Sequence, residues 1–296
     1  MSCTLDCLVV GGGPAGLTTA LYLRRFHREV LLCDAGHSRA SHIPLSHNYP
    51  GFPEGISGPQ LLERLRTQLR QCGCEILNAR VERLERAPTD DRWTVHGVDQ
   101  TLHARTIVLA TGVVDTMPSL PGALRLLEAR RLRFCPICDG FEFTGSRIGV
   151  IGAGEHGLRE SQFIRRFSEH VVHVDWDEPS AHRRDELARS GIECIDGRGC
   201  RLDELAGGEL AVMTATGAQH RFDVIYIALG VAVQSRLGAE AGARTDAQGG
   251  LCIDAHAQTS VDGLYAAGDV VCGLDQLVVG MGHAALAATH IHNRLG

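Results

Sequence analysis

The stretch Gly11-Gly12-Gly13-Pro14-Ala15-Gly16 follows the short apolar run Leu5–Val10, and a second glycine-rich turn, Gly152-Ala153-Gly154-Glu155-His156-Gly157, follows residues 147–151. In such a turn the first glycine permits the tight bend, the second lets the backbone approach a pyrophosphate, and the third lets the helix pack closely on the strand. The first N–H groups of the helix then bind phosphate oxygens. Both copies lie between a predicted strand and a predicted helix, as the motif requires. The sequence therefore predicts an α/β fold with two Rossmann-like dinucleotide-binding domains.

Two carboxylates support this internal repeat. Asp34 stands as many residues after Gly11 as Asp175 stands after Gly152, at a strand end where a carboxylate accepts hydrogen bonds from a ribose. A later predicted strand runs into Gly268-Asp269 and returns to the first domain. We therefore expect the second domain to be inserted into the first, with residues 1–113 and 235–296 forming one domain and residues 114–234 the other.

Composition limits the classes of partner. The chain has 296 residues and a net charge of −6, so no excess of Lys and Arg is available to neutralise nucleic-acid phosphates. No apolar run reaches the roughly 18 residues that predict a membrane span, and no secretion signal precedes the first strand. We expect a cytoplasmic protein with no nucleic-acid or membrane partner.

Two cysteines lie between the glycine turns, in Cys135-Pro136-Ile137-Cys138-Asp139-Gly140. This spacing can close a small reversible disulfide, and a helical start at Pro136 lowers the pKa of the thiols and so favours thiolate. Asp139 is the candidate proton donor or acceptor for such a thiol. The alternative is an inert buried pair with Asp139 as a turn residue. The other cysteine spacings do not match one another as zinc pairs do, so no metal site is predicted.

Taken in order, these motifs resemble those of low-molecular-weight thioredoxin reductases and their relatives among FAD-dependent pyridine-nucleotide disulfide oxidoreductases. The resemblance covers nearly the whole chain. Besides the glycine turns and the Cys pair, it rests on Asn48-Tyr49-Pro50-Gly51, Ala110-Thr111-Gly112, Ala267-Gly268-Asp269, Asp275-Gln276-Leu277 and Gly282-His283-Ala284-Ala285. It implies an FAD-dependent disulfide oxidoreductase that forms a homodimer.

The resemblance also implies where FAD binds. Its pyrophosphate would lie over the first glycine turn, Asp34 would bind the adenosine ribose and Asp269 the ribityl chain. Gln276 and Leu277 would present the N-terminus of the last helix to the flavin, which stabilises negative charge there. The residues implied for FAD are Gly11, Gly13, Pro14, Ala15, Gly16, Asp34, Asn48, Ala110, Thr111, Gly112, Gly268, Asp269, Gln276 and Leu277.

The roles of the two thiols come from the same resemblance. Cys138 would face the flavin and pass electrons, and Cys135 would be the outer nucleophile that attacks the substrate disulfide. The implied substrate is a thioredoxin-like protein or a small-molecule disulfide or dithiol.

The second domain departs from the family where a nicotinamide nucleotide would bind. Thioredoxin reductases carry a His-Arg-Arg run for the 2′-phosphate of NADPH, and an ungapped alignment puts Asp175-Trp176-Asp177 there. NADPH is therefore disfavoured, which leaves NADH or a domain that has lost its nucleotide. The residues implied for NADH are Gly152, Gly154, Gly157 and Asp175. His182-Arg183-Arg184 follows closely, and we expect it to be an ordinary solvated charge cluster.

Three functions remain open. The first is a reductase that passes electrons from a reduced donor through FAD and the Cys pair to a disulfide. The second is an NADPH-independent dithiol oxidase that uses oxygen and forms a disulfide in a small molecule. The third, a redox sensor or binding module, explains neither Asp139 nor the second nucleotide fold. Related dithiol oxidases carry His where this chain has Asp139, which favours the reductase.

Overall fold

A computed structural model describes residues 4–86, 92–97, 101–177 and 180–296. In these ranges the strands are β1 Leu5–Val10, β2 Val30–Asp34, β3 Glu75–Asn78, β4 Arg83–Arg86, β5 Trp93–His96, β6 Leu102–Leu109, β7 Val113–Asp115, β8 Leu132–Arg133, β9 Ile148–Gly152, β10 Val171–Asp175, β11 Glu193–Asp196, β12 Arg201–Glu204, β13 Leu210–Met213, β14 Gln219–Phe222, β15 Val224–Ala228, β16 Val231–Val233 and β17 Leu264–Ala266.

The α-helices of the same ranges are α1 Pro14–Arg25, α2 Gly58–Gln71, α3 Ala123–Glu128, α4 Pro136–Asp139, α5 Gly154–Ile164, α6 Ala181–Arg189, α7 Arg236–Glu240 and α8 Leu277–Leu295. Short 3-10 helices cover Arg39–His42 and Gly140–Phe143. Among the described residues, no helix combines the length and apolar character needed to cross a membrane.

The chain divides into two compact units. The first unit comprises residues up to Ser41, Gly58–Val114 and Val233–Gly296, and the second comprises His42–Ser57 and Asp115–Ala232. The predicted boundaries placed residues 42–57 in the first domain, whereas the structure groups them with the second unit. Contacts within the second unit account for this, because the Asn48 amide donates to the carbonyl of Ile137 (3.2 Å) and His47 lies 3.3 Å from the Glu142 carboxylate.

The first unit is built on a mixed sheet with the order β3-β2-β1-β6-β5-β4, in which β17 also pairs with β6. The strands β3, β2, β1, β6 and β17 are parallel, with Leu8 opposite Leu31 on one side and Ile107 on the other. The buried side chains of β1, β6 and β17 form the core of this unit together with Trp93. The carboxyl ends of these parallel strands therefore meet at one edge, where the first glycine turn begins.

The second unit contains a five-stranded parallel sheet with the order β11-β10-β9-β15-β8. A separate antiparallel sheet joins β12, β13 and β14. Strand–glycine turn–helix units at β1–α1 and β9–α5 confirm the predicted α/β fold with two Rossmann-like units. The three strands of the antiparallel sheet were not predicted, because each has only four residues and two of them, β12 and β14, contain charged residues.

Candidate active site

The two cysteines of the Cys-Pro-Ile-Cys stretch are joined by a disulfide at the start of a single helical turn. Cys135 is the N-cap of α4, and Pro136 occupies the first helical position. The Cα atoms of Cys135 and Cys138 are 5.3 Å apart, and the Cys138 amide donates to the Cys135 carbonyl (3.0 Å). Pro136 fits here because it lacks the N–H that a first-turn residue leaves unpaired and holds φ near its helical value. Both cysteines are half-buried.

Asp139 directly follows this pair, and its buried carboxylate contacts two polar side chains. The Tyr226 hydroxyl donates to one carboxylate oxygen (2.7 Å), and Nε of Arg133 lies 2.8 Å from the other. Burial raises the pKa of Asp139, while Tyr226 and Arg133 act in the opposite direction. A carboxyl group with a raised pKa holds its proton to higher pH, which suits a proton donor to a thiolate.

Strand pairing positions these two partners of Asp139. Tyr226 on β15 lies opposite Arg133 on β8 in the parallel register, so both side chains reach the same carboxylate. Burial and the neighbouring Asp139 raise the pKa of Tyr226, which keeps its hydroxyl protonated as a donor. The sequence reasoning missed both residues. The available signal was a phenol in the apolar run of β15, because a buried tyrosine hydroxyl needs a partner.

The first glycine turn forms a close-packed cradle at the carboxyl end of β1. A Cβ on Gly12 would fall 2.1 Å from an Asp34 carboxylate oxygen, and one on Gly16 would fall 1.9 Å from the Gly11 carbonyl oxygen. Only glycine therefore fits these positions. Gly13 is the N-cap of α1, whose first turn contains Pro14 and no acidic residue. The N-terminus of α1 is thus suited to an anion.

Several other residues implied for FAD meet at this cradle. A Cβ on Gly11 would lie 2.2 Å from the Ala110 carbonyl oxygen, and one on Gly268 would lie 2.9 Å from Cβ of Ala15. Gly280 of α8 packs against Gly268, because its own Cβ would approach the Gly268 Cα to 2.9 Å. The cradle, the end of β6, the end of β17 and the start of α8 are therefore neighbours.

The remaining implied residues lie on the segments that meet there. Thr111 donates its hydroxyl to the Gln234 carbonyl (2.6 Å), and Gly112 follows it with a positive φ of 66°. Gln276 is the N-cap of α8, Leu277 is its first residue, and the Gln276 carbonyl accepts from the Gly280 amide (3.0 Å). Asn48 belongs to the second unit, and its contact with FAD stays a prediction.

Two carboxylates of the first unit are held by arginines. Asp34 accepts from the Gly36 amide (2.9 Å) and from Arg66 (3.3 Å). Asp269 accepts from Arg39 (3.2 Å). Each carboxylate therefore has a fixed orientation beside the cradle, as a group that binds a hydroxyl requires.

The second glycine turn packs over a buried histidine. A Cβ on Gly152 would meet the Gly157 Cα at 2.8 Å and Cε1 of His173 at 2.6 Å. His173 is fully buried, and its Nδ1 lies 2.9 Å from the Ser161 hydroxyl. Burial and the nearby Arg183 lower the pKa of His173 to about 4, so its ring is neutral at pH 7.

Arg183 donates hydrogen bonds to two carboxylates at the carboxyl end of β10, those of Asp175 and Asp177. Asp175 is fully buried, and Arg183 donates to it (2.7 Å) and to both carboxylate oxygens of Asp177, at 3.4 Å for one of them. Burial raises the pKa of Asp175, and Arg183 opposes that shift. Asp177 also accepts from the Gly154 amide at the start of α5 (3.1 Å). The expectation that Arg183 lies in a solvated cluster is wrong, because only 5% of Arg183 is exposed. Arg184 is exposed, as expected.

Comparisons with known proteins agree with this arrangement. The family model described as pyridine nucleotide-disulphide oxidoreductase matches residues 5–290. The bifunctional thioredoxin reductase/thioredoxin of Mycobacterium leprae (strain TN) is 31% identical over 293 residues, which cover 90% of this chain and 60% of that protein. The thioredoxin reductase of Mycolicibacterium smegmatis is 29% identical over 286 residues, which cover 90% of this chain and 88% of that protein.

Solved structures give the same result. The crystal structure of HlmI matches with a TM-score of 0.89 and 28% identity, over 100% of this chain and 94% of that chain. The thioredoxin reductase from Streptococcus pyogenes MGAS5005 matches with a TM-score of 0.86 and 26% identity, over 100% of this chain and 99% of that chain. Because the family model spans nearly the whole sequence, the chain belongs to the pyridine nucleotide-disulphide oxidoreductase family and is an FAD-dependent disulfide oxidoreductase that resembles thioredoxin reductase.

Proposed function

We propose that this enzyme passes electrons from a reduced donor through FAD and the Cys135/Cys138 pair to a thioredoxin-like protein or a small disulfide. The observation that carries the proposal is the closed Cys135–Cys138 bond at the start of α4, followed directly by the buried Asp139. A thiol pair and a proton donor with a raised pKa are the groups that thiol–disulfide exchange needs.

FAD, which the family implies, fits the residues of the first unit. Any side chain at Gly12 or Gly16 would fill the cradle at the N-terminus of α1, and the first turn of that helix carries no acid that would repel a pyrophosphate. The residues proposed to hold FAD are Gly11, Gly13, Pro14, Ala15, Gly16, Asp34, Ala110, Thr111, Gly112, Gly268, Asp269, Gln276 and Leu277. An FAD contact from Asn48 stays a prediction.

The proposed exchange balances two electrons and two protons. The Cys135 thiolate attacks one sulfur of the substrate disulfide, which breaks that bond and releases the other sulfur as a thiolate. Asp139 gives this thiolate a proton. The Cys138 thiolate then attacks Sγ of Cys135, which closes the Cys135–Cys138 bond and releases the second substrate sulfur as a thiolate that takes the second proton from water. FAD, when bound and reduced by the donor, would supply the two electrons that open the bond again.

The surroundings of the Cys pair support a protein substrate. Ile137, between the two cysteines, is 48% exposed, and Phe141 in the following 3-10 helix is 78% exposed. Large apolar side chains this exposed commonly mark a contact surface for a partner. The relative from Mycobacterium leprae is named as a fusion of reductase and thioredoxin, which supports a thioredoxin-like partner. A homodimer and a cytoplasmic location remain predictions.

A dithiol oxidase is the second candidate, in which the same exchange runs in the opposite direction and oxygen is the final electron acceptor. The observation that favours it is the acidic end of β10, where Asp175 and Asp177 stand in place of a clamp for a 2′-phosphate. For the first candidate, this arrangement disfavours NADPH as the donor.

The direction of electron flow can be measured without choosing a nucleotide. The FAD-loaded enzyme is reduced anaerobically with one equivalent of dithionite and mixed with oxidised thioredoxin, and the new thioredoxin thiols are counted. The reductase proposal predicts that thiols appear in the wild type and not in Cys135→Ser, while Cys72→Ser, which changes a half-buried free cysteine, behaves as the wild type. Rapid oxygen uptake with a small dithiol, without transfer to thioredoxin, would instead establish the oxidase.

A further inference from the structure

We infer that the second unit binds neither NADH nor NADPH, because the chain's own Asp177 carboxylate, held by Arg183, occupies the place of the nucleotide pyrophosphate. This inference rests on the proposed function only in its choice of ligand, the pyridine nucleotide that the family implies. Of the two alternatives that the sequence left, NADH or a domain that has lost its nucleotide, it selects the second and assigns the cause to one carboxylate.

The amide of Gly154 is already occupied by a carboxylate of the chain itself. Gly154 is the first residue of α5, where an N–H group would donate to a phosphate oxygen in a nucleotide-binding unit. That N–H instead donates to Oδ2 of Asp177 (3.1 Å). Glu155 adds a second carboxylate to the same first turn, whereas the first turn of α1 contains none. The two glycine turns therefore differ in charge although they share a backbone pattern.

Arg183 holds Asp177 in this position. Its guanidinium donates to Asp175 (2.7 Å) and to both carboxylate oxygens of Asp177, and only 5% of the residue is exposed. An arginine at this place could bind a 2′-phosphate if it faced solvent, but here it is held between two carboxylates, and its single positive charge offsets only one of them. Asp175, the residue expected to bind the ribose, is fully buried beneath the same arginine.

These contacts form a closed network that a nucleotide would have to break. The incoming pyrophosphate would need to displace the Asp177 carboxylate from the Gly154 amide. It would then lie beside that carboxylate, in a first helical turn that also carries Glu155. Repulsion between like charges at about 4 Å is substantial even near a protein surface. The turn itself is open, because no atom lies within 4 Å of the place where a Cβ on Gly154 would stand. The barrier is therefore electrostatic, and removal of one charge should lower it.

Calorimetric titration with inorganic pyrophosphate tests this cause. The protein carries FAD, so that the first glycine turn is occupied. Wild-type protein should show no saturable binding up to about 1 mM, the upper end of ordinary substrate affinities. Asp177→Ala should bind pyrophosphate at least about tenfold more strongly, the change expected when a charge repulsion at this distance is removed. Asp185→Ala on α6, an exposed position, changes the net charge equally and should behave as the wild type.

Two results would overturn the inference. One is saturable binding of pyrophosphate, NADH or NADPH by the wild-type protein below about 1 mM. The other is an Asp177→Ala variant that binds no better than Asp185→Ala. Asp177→Asn is a second variant that keeps the side-chain size if the alanine variant is poorly folded, and it should also gain affinity. Because these titrations measure binding alone, their outcome is independent of whether the Cys pair exchanges with a disulfide.

Discussion

Replacement of Arg183 by methionine should strongly destabilise the second unit. Arg183 is 5% exposed and is the hydrogen-bonding cation of the fully buried Asp175. Its removal leaves a buried carboxylate without compensation, which costs about 3–5 kcal/mol in comparable cases. For a protein of this size, each kcal/mol lowers the thermal midpoint by about 2–4 °C. The expected fall is therefore on the order of 10 °C for Arg183→Met.

The assay is thermal unfolding of the FAD-loaded protein at one scan rate, followed by far-UV circular dichroism at pH 8 and pH 5. Arg184→Met is the matched control, because Arg184 is the exposed neighbour on α6 and should shift the midpoint little. Burial raises the pKa of Asp175, and loss of Arg183 raises it further. A buried carboxyl group with a raised pKa destabilises the folded state least at pH values where it is protonated. The fall in thermal midpoint caused by Arg183→Met should therefore be smaller at pH 5 than at pH 8. Equal midpoints for the two variants would refute the buried ion pair.

Three further predictions concern the buried groups and the thiols. Tyr226→Phe removes a hydrogen bond to the charged form of Asp139, worth about 1.5–3 kcal/mol, so the pKa of Asp139 should rise. In the pH profile of the disulfide-exchange rate, the limb that reports Asp139 should therefore move to higher pH. An unmoved limb would contradict this. His173 has a pKa lowered to about 4, whereas an unfolded histidine titrates near pH 6.5. Lowering the pH from the unfolded pKa of His173 to its folded pKa should therefore reduce the unfolding free energy of the wild type by up to about 3 kcal/mol. In urea titrations, the unfolding free energy of His173→Gln should lack this pH dependence. Cys135→Ser should show a long-wavelength flavin absorption band from the Cys138 thiolate; the same band in Cys138→Ser instead would reverse the two roles.

The sequence predicted the two glycine-turn units because their information is local. A strand, a turn and a helix lie within a short stretch, and the glycine spacing follows from close backbone approach. Helix ends depend on contacts that are not local. The last helix, α8, continues to Leu295. Arg28, distant in sequence, donates to the carbonyl of His292 (2.8 Å) and stabilises the final turn.

The missed site residues depend on contacts between distant segments. Arg133 and Tyr226 meet at Asp139 only through the pairing of β8 with β15, which no local pattern reveals. Arg183 stands among polar neighbours and therefore looked solvated, yet the return of α6 onto the end of β10 buries it against Asp175. Local sequence thus predicts that a βαβ unit is present, but it does not predict which charged side chains will pair at the ends of its strands.

We propose that electrons pass between a thiol substrate and FAD through the Cys135/Cys138 pair. The decisive experiment is an anaerobic titration of the yellow, FAD-loaded protein with a small dithiol, followed by flavin absorbance. The wild type should lose its flavin absorbance, while Cys135→Ser and Cys138→Ser should keep theirs and Cys72→Ser should respond as the wild type. Flavin bleaching at equal rates in the wild type and in Cys138→Ser would contradict it, because electrons would then reach FAD without the disulfide.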